Sequence, residues 1–73
     1  MNDPVQVEIG RLRAEAQGVL RQVKAISNDA ETALREGNLT AAQSERAKAR
    51  LGDLNGRLVP LYARLQELGA APD

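Results

Sequence analysis

Cysteine and histidine are both absent from this chain, and the two absences remove disulfide staples, thiolate chemistry, imidazole general bases and nearly every zinc site. Stability has to come from packing. Aromatics are almost as scarce. Tyr62 is alone, which leaves no stacking platform for nucleobases and few interface anchors. Ten basic and ten acidic side chains cancel, so no global field draws the protein onto nucleic acid or an anionic membrane. No apolar run approaches the length that spans a bilayer, and Asp3, Glu8 and Glu15 occupy the region where a signal peptide needs a basic start and an apolar stretch. The expectation is a soluble, cytoplasmic protein with no membrane partner. At 73 residues it has room for one small domain, near the size at which a single core only just outweighs chain entropy.

What is present is helical grammar. Asp3 suits an N-cap and Pro4 a first helical position, where its missing N–H costs nothing. From there apolar or small residues recur at Val5, Ile9, Leu12, Ala16, Val19, Val23, Ile26, Ala30 and Ala33, spaced alternately by four and three, which is a heptad seam. Arg35, Gly37, Asn38 and Thr40 then read as a helix end, a left-handed glycine and a new cap, with Gln43 placed for a capping box on Thr40. A second seam follows at Ser44, Ala47, Leu51, Leu54, Leu58, Leu61, Leu65 and Leu68. The expected organisation is one domain over 1–73, with helix 1 over about 4–36, a turn at 37–40, helix 2 over about 41–68 and a frayed tail at 69–73.

A turn this short makes neighbouring helices antiparallel, and the two seams agree on a register. Ile9 with Leu68, Leu12 with Leu65, Ala16 with Leu61, Val19 with Leu58, Val23 with Leu54 and Ile26 with Leu51 all keep one constant residue sum. The fold class is therefore all-α, an antiparallel, coiled-coil-like two-helix hairpin. The g positions match in charge as well: Glu15 is expected to meet Arg64, Gln22 to meet Arg57, and Asp29 to meet Arg50. The layers near the turn are alanine and serine and become Val, Ile and Leu toward the open end. Most hydrophobic stabilisation should lie at that open end.

Within the second seam, Asn55-Gly56 and Pro60 are residues that ordinarily stop a helix. The leucines nevertheless stay in phase across them, Pro60 falls at an outward c position, and the carbonyl its ring crowds belongs to Gly56, which yields most easily. The expectation is one helix kinked at Gly56 and Pro60, with a true break near Asn55–Arg57 as the alternative.

Catalysis and metal binding find little support. No acidic residue occupies an a or d position, and Ser27 and Ser44 have no base to activate them. The chain reads as non-enzymatic, with no cofactor. More telling are apolar residues outside the seam: Leu20, Leu34 and Tyr62 at e positions and Val59 at b. They lie along one edge, with Arg13 and Arg21 placed as rim contacts and Tyr62 near Arg13. The plainer reading is that Tyr62 covers the seam; the functional reading is a contact with a partner protein or with a second copy, giving a homodimeric four-helix bundle. The leading expectation is a small protein–protein interaction module of the adaptor, inhibitor or co-chaperone type. In shape alone, the hairpin resembles the Rop-type plasmid regulators, helical hairpins that dimerise into four-helix bundles and grip RNA loops. No motif is shared residue for residue. That resemblance implies nucleic acid as the alternative partner, through arginines such as Arg21 with Lys24.

Overall fold

A computed structural model describes residues 3–70. Those residues form two helices, α1 (Pro4–Arg35) and α2 (Ala41–Glu67), which pack on one another as a hairpin. The hairpin expected from the two seams is what the chain adopts. No helix among the described residues is long and apolar enough to cross a membrane.

Each helix starts where a side chain satisfies the free backbone donors of its first turn. The Asp3 carboxylate accepts from the Val5 N–H at 2.9 Å, ahead of Pro4. At α2 the Thr40 hydroxyl accepts from the Gln43 N–H at 3.1 Å while the Gln43 side chain accepts from the Thr40 N–H at 3.1 Å. This reciprocal capping box satisfies two donors at once. Both helices end alike. At the turn, Gly37 has φ +75, its N–H donates to the Leu34 carbonyl at 3.1 Å, and the Asn38 N–H donates to the Ala33 carbonyl at 2.8 Å. Those two bonds are a Schellman motif, which needs a left-handed residue and so favours glycine. Gly69 (φ +76) repeats it, with the Ala70 N–H donating to the Leu65 carbonyl at 2.9 Å. The tail expected to fray thus begins with two residues held by helix carbonyls. Its remainder, 71–73, lies outside the described residues.

The seam residues are the ones that face inward. Ile9, Leu12 and Leu65 form one buried cluster at the open end, and Ala16, Val19, Leu54 and Leu58 form the next. Leu61 and Tyr62 pack against both. Toward the turn, Ile26, Ala30, Ala33, Ser44, Ala47 and Leu51 are only half-buried. Side-chain size explains the gradient, because alanine and serine leave little apolar surface to remove and two helices have no third element to cover them.

α2 is continuous through Asn55, Gly56 and Pro60. A separate third helix after residue 57 is thereby excluded. In-phase burial of Leu54, Leu58 and Leu65 on both sides of Pro60 supplies the reason, since packing on α1 offsets the local cost of the proline.

The charged edge departs from expectation. Arg64 bonds Glu8, not Glu15: its Nε donates to one Glu8 oxygen at 3.0 Å and an Nη to the other at 3.1 Å. Its other Nη donates to Glu67 at 3.0 Å. The physical reason is the number of acceptors. Toward the open end Arg64 finds two carboxylates that together engage three of its nitrogens, whereas Glu15 presents one. Nor does an ion pair join Asp29 to Arg50 among the described residues. Both are exposed, where such a pair gains little against water and side-chain entropy.

Candidate functional site

The g edge and the e edge of the hairpin differ in chemistry. On the g edge, Glu8 is the more sheltered partner of the Arg64 cluster, with its side chain 27% exposed against 47% for Arg64. The hydrogen bond from Arg64 holds the Glu8 carboxyl below its ordinary range, helped by the positive charges of Arg64 and Arg11 against an opposing effect of desolvation. The same two carboxylates raise the already high pKa of Arg64. This cluster links α2 to α1 at the open end. Its groups are ion-paired and lie at the surface, so they offer neither a nucleophile nor a poised acid.

Farther along this edge a shallow cleft is lined by Glu15, Gly18, Val19, Gln22, Arg57, Pro60 and Leu61. A smaller one near the turn exposes Ile26, Ala30, Ala33, Leu39 and Ala47 between Asp29 and Gln43. Both are open grooves between exposed rims, not enclosed pockets that would desolvate a small molecule. Among the described residues no group of three acidic, cysteine or histidine side chains is placed to hold a metal ion.

The e edge carries the residues singled out from the sequence. Leu20 is 44% exposed, Leu34 67% and Val59 68%, although each is a large aliphatic side chain. Tyr62 is half-buried and packs against both core clusters, so it covers the seam, the plainer of its two expected roles. Arg13 is half-buried and Arg21 exposed. Arg21 and Lys24 flank Leu20 in a shallow groove with Gln17. These residues do not make one compact patch, because Leu34 lies about 21 Å along α1 from Leu20 at the helical rise. They form a line.

Two exposed apolar residues belong beside that set. Val5, the first residue of the seam, is 41% exposed, and Val7, at an outward position, is 55% exposed. Heptad phase alone assigns Val5 to the core, and the structure corrects that assignment. By the register of the two seams the first helical turn lies past the end of α2 at Glu67, so no seam position of that helix faces it, a consequence of helix length that heptad phase does not register. Comparison with family models, with curated proteins and with solved structures finds no match to this chain.

Proposed function

We propose that the protein is a non-enzymatic protein–protein interaction module of the adaptor, inhibitor or co-chaperone type. It acts through the aliphatic e edge and associates with itself as a dimeric four-helix bundle. The observation that carries this reading is the exposure of Leu20, Leu34 and Val59 in a chain whose core is small, with seven buried hydrophobic side chains among the described residues. Each fully buried aliphatic side chain stabilises by roughly 1.5–3 kcal/mol, so covering that edge removes a large remaining apolar surface from water. Tyr62 contributes the exposed part of its half-buried side chain, and Arg13 and Arg21 stand at the rim, where charge sets specificity more than affinity.

In this reading α2 bends at Gly56 and Pro60. The bend brings Val59 and Tyr62 to the contact edge, and it is the reason to keep a proline that costs roughly 3 kcal/mol in a helix interior.

Sedimentation across micromolar concentrations tests the proposal. The parent chain should sediment as a dimer, and Leu20→Glu should give a helical monomer. A parent that stays monomeric, with stability unchanged by Leu20→Glu and Tyr62→Ala, overturns self-association. Pro60→Ala belongs in the same series: it should raise the stability of the dissociated hairpin while weakening association, and unchanged association would refute the bend's role.

A second reading, binding to structured RNA, has one observation in its favour, the pairing of Arg21 and Lys24 beside Leu20. Zero net charge and a lone aromatic weigh against it. It would be recognised by an affinity that falls steeply with salt and is lost on joint Arg21→Gln and Lys24→Gln substitution.

A further inference from the structure

Of the four large apolar residues exposed on α1, Val7 faces outward, and the other three, Val5 at the start of the seam with Leu20 and Leu34 on the e edge, divide the helix Pro4–Arg35 into two nearly equal intervals, with Leu20 near its midpoint and the other two about 21–22 Å to either side. A line of contacts symmetric about its own centre is what a two-fold axis perpendicular to the helix requires, because an isologous interface pairs each residue with its mirror position in the copy. Resting on the self-association just proposed, we infer that the occupant of the e edge is a second copy of this chain laid head to tail. Its turn lies over the open end of the first, and α1 runs antiparallel to its symmetry mate.

Three observations converge on that arrangement. The first is area. A stable interface takes about 800 Å² from each partner, and in a body of 54 × 18 × 14 Å only a whole long face supplies it. A short overlap of the two hairpins is therefore excluded, and only two full-length orientations remain, turns together or turns apart. The second is the placement of apolar groups. With turns apart, Leu20 meets Leu20 of the copy on the axis, and the exposed Leu34 of each chain comes level with the exposed Val5 of the other. By the register of the hairpin, Val59 on α2 lies within about 3 Å of the same central level, so the axis passes through an aliphatic centre contributed by both helices. With turns together, α1 packs on α2 of the copy and Leu34 comes level with the small, exposed residues that begin α2, Ala41 and Ala42.

The third observation is the gradient of layer size. The half-buried alanine and serine layers lie near the turn and the buried leucine, isoleucine and valine layers near the open end. Head to tail, each thin layer stacks on a thick one, and the bundle keeps a constant cross-section that packs without voids. Turns together, thin stacks on thin, and the alanine end leaves a gap. Along the e row of α1 the head-to-tail register also sets Arg13 against Ser27 of the copy, so no like charges oppose.

The chain has no cysteine, so a single Asn38→Cys substitution in the exposed turn accepts one nitroxide label. Pulsed dipolar EPR on the labelled full chain then reads the turn-to-turn distance. Head-to-tail packing gives about 50 Å, close to the helix length at the α-helical rise. A distribution centred below about 35 Å, together with a dimeric mass in sedimentation, overturns the orientation and leaves the self-association reading standing. A monomeric mass with no dipolar modulation overturns both. Circular dichroism on the labelled chain checks that the helices survive. Leu20→Glu in the labelled chain should abolish the long distance, and persistence of that distance would show that Leu20 does not lie on the axis.

Discussion

Arg64 shows what one side chain can decide. Its fork joins α2 to Glu8 of α1 and to Glu67 of its own helix, so the open end has a polar lock beside its apolar core. The hydrogen bond from Arg64 lowers the Glu8 pKa. A depressed carboxylate pKa stabilises the fold at pH values above the unfolded pKa, and that contribution disappears as pH falls through the folded value. Wild type should therefore exceed Glu8→Gln in urea midpoint at neutral pH, and the gap should close as pH drops below the ordinary carboxylate value of 4.5. A gap that stays unchanged as the carboxylates are protonated by acid would mean that Glu8 acts through packing. The choice of Glu8 over Glu15 could not be reached from heptad letters, which assign an edge and say nothing about how many acceptors lie within reach of a flexible arginine.

At the scale of the element, glycines separate into two kinds. Gly37 holds φ +75 in the Schellman turn; an L-residue there is strained by about 1–2 kcal/mol. Gly18 lies inside α1, and a methyl group added at its Cα would meet nothing within 4 Å, so alanine there gains roughly 0.5–1 kcal/mol of helix stability without a clash. Gly37→Ala should lower the melting temperature and Gly18→Ala should raise it, measured by circular dichroism. Equal effects would show that the turn geometry is not specific. The caps, the turn and the phase of both seams were legible because they depend on neighbours close in sequence. Continuity of α2 through Pro60 was legible for the same reason, since a loop would have shifted the leucines out of phase.

For the whole molecule, the decisive property is the uneven depth of the core. Leu54 is 2% exposed and sits among Ala16, Val19 and Leu58, while Leu51, one seam position nearer the turn, is half-buried. Leu54→Ala should cost about 2–5 kcal/mol and Leu51→Ala less than half as much in urea denaturation of a dissociated chain. Similar losses would contradict a core concentrated at the open end. The shallow half is also the half that a head-to-tail copy covers with its thick layers, which ties the stability gradient to the proposed assembly.

The sequence by itself determined the all-α class, the helical hairpin and most of the residues that face inward, because heptad phase, capping chemistry and a short turn are local rules that leave one arrangement. It also marked Leu20, Leu34 and Val59 as lying outside the seam. Only the tertiary structure decided how much of each stays in water, that Tyr62 lays its ring on the seam, that Val5 outruns its partner helix, and that Arg64 turns to Glu8. Those outcomes depend on side-chain reach and on where one helix ends against the other, which are properties of the packed pair and are written in neither helix alone.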